Sequence, residues 1–113
     1  MIDGLEKTNR LLAELTASLP LEARPTRDAV RALAEHLSER TAVTRCTIEG
    51  LHYAGDEGGI VCKLNIEGQN TERAIYISIT HLIFERKTPL FRQIDAYQRH
   101  RVKKLRQQGG REY

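Results

Sequence analysis

The feature that most constrains this fold is a series of apolar residues at every second position between Cys46 and Ile79. Turn-forming segments at 54–59 and 68–71 divide the series into three runs. Alternation of this kind places one face of a strand in a core and the other in solvent. Residues 42–80 are therefore predicted to form a three-stranded antiparallel meander with one apolar face. The alternating positions are Cys46, Ile48, Ile60, Cys62, Leu64, Ile66, Ile75, Ile77 and Ile79.

The same alternation predicts the pairing of the strands. In the first hairpin we expect Ile48 opposite Leu64, and in the second we expect Ile66 opposite Ile75. Both registers keep the branched side chains on a common face. A slip of one residue would move a whole strand's apolar set into solvent.

Two cysteines lie in this series, and their positions predict neither a disulfide bond nor a zinc site. Cys46 and Cys62 are predicted to share the apolar face without being opposite each other, so we expect two free thiols. His52 and His81 do not stand at the short spacings from these cysteines that structural zinc sites use. We therefore expect neither a bound metal nor another cofactor.

Helical periodicity precedes the sheet. Residues 3–19 are predicted to form a first helix, which ends before Pro20 because proline disfavours the helical conformation of its predecessor. Residues 21–25 are then a connector, and residues 26–39 a second helix with Thr26 as its N-cap. The first helix carries a leucine stripe on one face, formed by Leu5, Leu12, Leu15 and Leu19.

A third helix is predicted over residues 88–108. Thr88 and Pro89 have the residue types that favour a helix start, and Gly109 has the type that favours a stop. The segment 82–84 has two readings, either an extension of the third strand or a buried loop. The chain is therefore predicted to be one α+β domain over residues 1–113, in the order α-α-β-β-β-α.

Two further expectations concern location. No apolar run approaches the roughly 18 residues of a membrane helix. Asp3 and Glu6 occupy the region where a secretory leader would be basic and then apolar. We therefore expect a cytoplasmic protein that does not contact membrane.

Charge is distributed unevenly along the chain, whose net charge is +3. Residues 1–83 hold 9 basic and 12 acidic side chains, whereas residues 84–113 hold 9 basic and 3 acidic ones. On a helical wheel, four cations of the third helix fall within about 60° of one another, opposite its apolar side. We call this set the basic face; it consists of Arg92, Arg99, Lys103 and Arg106.

Three roles fit a basic face. It can hold the phosphate backbone of a nucleic acid, it can meet an acidic protein surface, or it can be a solvated surface whose cations complement the helix dipole. The asymmetry of charge favours a partner but does not identify one.

The leucine stripe suggests a different role. One helix can cover the apolar face of the sheet, which leaves the apolar faces of two more helices to be buried. The leucine stripe is therefore a candidate interface between copies of the chain. No serine–histidine–aspartate or cysteine–histidine pattern is present. The sequence thus predicts a non-catalytic interaction or assembly module that forms homo-oligomers, with nucleic-acid binding by the basic face as the alternative.

Overall fold

The computed structural model describes residues 4–34, 45–66 and 75–109 and shows the predicted α+β class, with five strands instead of three in these ranges. In chain order the elements are helix α1 (Leu5–Ala17), strand β1 (Leu21–Pro25), helix α2 (Arg27–Ala34), strands β2 (Cys46–Tyr53), β3 (Ile60–Ile66), β4 (Ile75–Ser78) and β5 (Leu82–Ile83), and helix α3 (Phe91–Gly109). Two 3₁₀ turns lie at Gly55–Glu57 and Ile79–His81.

The five strands form one antiparallel sheet that curls. Its order is β4-β3-β2-β1-β5, so β4 and β5 are the two edges. In a flat sheet four gaps would separate these edges by about 19 Å. Yet the 3₁₀ turn joins Ser78 to Leu82 in four backbone steps, which span at most about 14 Å. The sheet therefore bends toward an open barrel, which brings its two edges near each other.

The core lies on one face of the sheet, under α1 and α3. Helix α1 contributes Leu11 and Leu15, and α3 contributes Ile94 and Tyr97. The opposite face is exposed at alternate positions such as Lys63 and Asn65. Within the described ranges the fold is thus a helical layer on one side of a sheet whose other side is open. The core residues are Leu11, Leu15, Leu21, Ala23, Cys46, Ile48, Ile60, Cys62, Leu64, Ile66, Ile75, Ile79, Leu82, Phe84, Ile94 and Tyr97.

The predicted register of the first hairpin is confirmed from Cys46 to Ile48, beyond which a bulge between Ile48 and Gly50 shifts the pairing by one residue. The predicted register of the second hairpin is wrong by two residues. Ile48 lies opposite Leu64, but Leu64 then lies opposite Ile75, where Ile66 had been expected. A shift of two positions leaves every side chain on its original face, so alternation alone cannot distinguish the two registers. The predicted turn at 68–71 lies outside the described residues.

The connector predicted at 21–25 is wrong, because these residues form β1. Leu21–Ala23 pairs with β2, and Arg24 and Pro25 pair with β5. Proline cannot donate to a ladder, but it is tolerated at the end of a strand, where Pro25 stands. The segment 82–84 also differs from both of its readings. The 3₁₀ turn interrupts the chain after β4, and Leu82–Ile83 joins the far edge of the sheet as β5.

The ends of the helices differ in detail from the prediction. Helix α1 covers Leu5–Ala17 of the expected 3–19. Thr26 is confirmed as the cap of α2, since its Oγ1 accepts a hydrogen bond from the Ala29 N–H at 3.3 Å. The described part of α2 ends at Ala34, and the remainder of the expected 26–39 lies outside the described residues.

Helix α3 begins three residues later than the predicted 88–108. Leu90 has a φ of +64°, a left-handed conformation that an α-helix does not contain. Thr88 and Pro89 belong instead to a turn closed by the Phe91 N–H, which donates to the Thr88 carbonyl at 3.1 Å. The first helical bond follows, from the Ile94 N–H to the Leu90 carbonyl at 2.9 Å.

Candidate functional site

Helix α3 presents two opposite faces to different environments. Ile94, Tyr97 and Arg101, at spacings of three and four residues, are buried against the rest of the fold. The four residues of the basic face lie on the other side, and all four are exposed. The basic face predicted from the sequence is thus brought together on one accessible surface.

Three of the four cations line a groove of about 560 Å³ beside the C-terminal half of α3. Thr80, from the 3₁₀ turn after β4, forms part of its wall. Val102 contributes an apolar surface and is itself 36% exposed. The groove therefore offers cations, hydrogen-bonding side chains and a short apolar stretch to one ligand. Its polar and charged lining residues are Thr80, Asp95, Gln98, Arg99, Lys103, Arg106 and Gln107.

Little negative charge balances the basic face. The Arg99 Nε lies 3.2 Å from the Asp95 Oδ2, in an exposed pair one helical turn apart. Such a pair contributes about 0.3–0.5 kcal/mol, so a phosphate can replace the carboxylate readily. Among the residues that the structure describes, Arg92, Lys103 and Arg106 form no ion pair. Their charges are available to an anionic ligand.

Three residues of α3, which we call the anchor residues (Tyr97, Gln98 and Arg101), fix the helix on the sheet. Arg101 is 2% exposed, and its Nη2 donates to the Asp56 carbonyl at 2.7 Å. The Tyr97 Oη accepts the Ile60 N–H at 3.0 Å. Because buried polar groups are stable only with partners, these bonds hold α3 against the turn between β2 and β3.

Gln98 makes the third connection. Its Nε2 donates to the Ile79 carbonyl at 2.7 Å and to the Leu82 carbonyl at 2.8 Å. The Ile79 carbonyl belongs to the 3₁₀ turn that joins the sheet edges and the Leu82 carbonyl directly follows that turn, so one side chain connects α3 to the point where the sheet curls. The basic face therefore lies on a rigid helix, as a recognition surface requires.

The leucine stripe is divided between core and surface. Leu15 is fully buried, and Leu12 and Leu19 are partly buried against the core. Leu5 alone of the four is exposed, at 50%. The structure thus does not bring the four leucines together on one accessible surface.

A second groove, of about 850 Å³, lies between α1 and α3. Its charged lining from α1 includes Glu6, Lys7, Arg10 and Glu14. The two signs of charge balance, so this groove does not favour a ligand of either sign.

The two cysteines are buried in the core as free thiols. Burial raises the pKa of Cys46 to about 11, and burial together with the neighbouring Cys46 raises the pKa of Cys62 to about 12. The Cys46 Sγ also donates to the Ala23 carbonyl at 3.4 Å, which requires the protonated thiol. Both groups are therefore poor nucleophiles and poor metal ligands at neutral pH.

In the described ranges, no group of three or more His, Cys, Asp or Glu side chains could hold a metal ion. None of the helices in those ranges is long and apolar enough to cross a membrane. Comparison of the chain with protein families, with known proteins and with solved structures gives no match.

Proposed function

We propose that the protein is a non-catalytic binding module that holds a nucleic-acid backbone along the basic face of α3. The observation that carries this proposal is the exposure of all four cations on one helix face, three of them lining a single groove. Phosphate contacts by arginine and lysine supply most of the affinity in non-specific nucleic-acid binding.

The dimensions of the basic face suit a phosphate backbone. From Arg92 to Arg106 the helix rises by about 21 Å at 1.5 Å per residue. At 3.4 Å per phosphate along one strand, this length corresponds to about six phosphates. A strand lying along α3 can therefore meet all four cations at once.

The groove adds contacts that a bare row of cations lacks. Gln107 carries an amide group and Thr80 carries a hydroxyl, and both can form hydrogen bonds with a sugar–phosphate backbone. The exposed surface of Val102 lies among them and suits the apolar edge of a sugar. An acidic protein partner and self-association through the leucine stripe are the alternative hypotheses, and light scattering in the test that follows addresses the second.

The test compares two variants with equal changes of charge. In the first, Arg92, Arg99, Lys103 and Arg106 become glutamine. In the control, four exposed cations of α1 and α2 become glutamine, namely Lys7, Arg10, Arg27 and Arg31. Fluorescence anisotropy with labelled single-stranded and duplex oligonucleotides at 50 mM salt measures Kd for each protein.

We expect the basic-face variant to lose more than tenfold in affinity, and the control to lose less than threefold, because net charge alone acts weakly. Equal losses in the two variants would overturn the proposal. So would the absence of binding by the unmodified protein at low salt. Light scattering on the same samples reports self-association, with Leu5→Asp as the variant that changes the stripe without entering the core.

A further inference from the structure

An aromatic side chain stands exposed on the open face of the sheet. Tyr76 in β4 is 54% exposed, the largest exposed fraction among the big apolar and aromatic side chains of the described ranges. The ring of His52 in β2 meets it edge to face, with ring centroids 5.6 Å apart and planes at 69°. This contact limits the rotation of the tyrosine ring and leaves one of its surfaces open to a ligand.

Next to Tyr76 on the open face are a lysine and, beyond it, a glycine. Lys63 in β3 is its neighbour in register, and it is exposed. Beyond Lys63, the opposite residue in β2 is Gly50, which has no side chain. A flat ligand can therefore lie on the tyrosine ring beside the lysine ammonium group without meeting a third side chain in that row.

The aromatic position is continuous with the groove of α3. Tyr76 and Ser78 lie on the same face of β4, two residues apart. The Ser78 Oγ and Thr80 Oγ1 are 3.0 Å apart, and Thr80 lines the groove together with Arg99. From Tyr76 to Thr80 the backbone covers at most about 14 Å, the length of a few nucleotides.

We infer that the ligand is a single-stranded nucleic acid, with one base stacked on Tyr76 and the adjoining backbone running past Thr80 into the basic groove. This inference rests on the proposed function and specifies its ligand. In a duplex the bases are stacked on one another and cannot lie on a ring at the surface of a sheet. Unpaired bases stack on exposed aromatic rings whatever their sequence.

The distribution of charge on the open face agrees with this route. Among the described residues, its carboxylates are those of Glu22 in β1 and Glu49 in the central strand β2, and none belongs to β3 or β4. The Glu49 Oε1 also accepts a hydrogen bond from the Asn65 Nδ2 at 2.9 Å. Among the described residues, the charged groups along the proposed path are Lys63 at one end and, at the other, the cations of the groove with Asp95, which pairs with Arg99.

The test separates the base from the phosphates. Two probes are used, a labelled twelve-nucleotide oligothymidine and an abasic strand of equal length. Tyr76→Ala removes the ring, Tyr76→Phe retains it, and the basic-face variant removes the phosphate contacts. Circular dichroism verifies that each variant is folded, and light scattering measures its molar mass.

We expect the unmodified protein and Tyr76→Phe to bind oligothymidine on the order of tenfold more tightly than the abasic strand. Tyr76→Ala should bind both strands equally, with an unchanged dependence on salt. Equal binding of both strands by the unmodified protein would overturn the stacking site while leaving the basic groove intact. The stacking site would also be overturned if Tyr76→Ala bound both probes as the unmodified protein does and only the basic-face variant lost affinity for them. A change of molar mass in Tyr76→Ala would instead assign the ring to a contact between copies.

Discussion

Gly59 lies directly under two of the anchor residues, Tyr97 and Arg101, and its replacement by alanine tests whether α3 is packed as closely on the sheet as the structure shows. Its φ is +63°, in the left-handed region. A Cβ at this position would meet the Tyr97 hydroxyl and would lie 2.8 Å from the Arg101 Nε. These side chains are buried, so they cannot swing into solvent to make room.

The expected destabilisation by Gly59→Ala has two contributions. Alanine in a left-handed conformation costs about 1–2 kcal/mol. Displacing packed, hydrogen-bonded groups costs about 1–3 kcal/mol more. We therefore expect Gly59→Ala to reduce the free energy of unfolding by about 2–5 kcal/mol. For a domain of this size, this corresponds to a fall in Tm of roughly 8–20 °C.

Gly55 provides the matched control. Its φ is +68°, but no heavy atom lies within 4 Å of a Cβ built there. Gly55→Ala should therefore cost only the first part, about 1–2 kcal/mol. Urea unfolding followed by circular dichroism measures both variants. Tyr97→Phe alone should also destabilise, because the hydroxyl accepts the buried Ile60 N–H. The loss in the double variant Gly59→Ala with Tyr97→Phe should be smaller than the sum of the two single losses, because the hydroxyl that meets the new methyl group is absent.

Equal destabilisation by Gly59→Ala and Gly55→Ala would refute this reasoning. It would mean that the anchor residues do not press on the turn between β2 and β3. The orientation of the basic face would then lack the support described above.

Three further predictions concern the core. Leu15→Ala should reduce the free energy of unfolding by about 2–5 kcal/mol and Leu5→Ala by less than about 0.5 kcal/mol, since only Leu15 is buried; similar losses in urea unfolding would contradict the placement of α1. Cys46 and Cys62 should not react with a thiol reagent at pH 8 until urea is added, and rapid reaction in the native state would contradict their burial. Because the folded state retains thiol protons that the unfolded chain releases above about pH 9, the free energy of unfolding should fall between about pH 9 and 11, by up to about 1.4 kcal/mol per pH unit for each thiol. In Cys62→Ala the free energy of unfolding should fall less steeply with pH, because the contribution of one thiol is removed. An unchanged slope would contradict the raised pKa of Cys62.

The alternation of apolar residues was sufficient to predict three strands, their common core face and the register of the first hairpin from Cys46 to Ile48, but not the bulge that follows Ile48. It could not predict the second register, because a shift of two residues changes no side chain's environment. Strand β1 does show the alternation, with Leu21 and Ala23 buried between charged neighbours. Pro20 before this strand and Pro25 at its end favoured the prediction of a connector over that of a strand. Strand β5 is only two residues long, which is too short to show a periodicity.

The candidate site was predictable in part. Helical periodicity alone brought the four cations of the basic face together. The same wheel places Arg101 in the apolar stripe, four residues from Tyr97 on one side and four from Leu105 on the other. This position indicates that Arg101 is buried, although a count of basic residues treats it like the exposed cations. The contact of Tyr76 with His52 was not predictable, because it depends on the register of β4.

The most direct test of the basic face is the dependence of single-strand binding on salt. For four phosphate contacts, the slope of log K against log salt concentration should be about −2.8. The slope should approach zero when Arg92, Arg99, Lys103 and Arg106 are changed to glutamine, and it should keep its value when Lys7, Arg10, Arg27 and Arg31 are changed. A slope that is the same in both quadruple variants would contradict a phosphate backbone along α3.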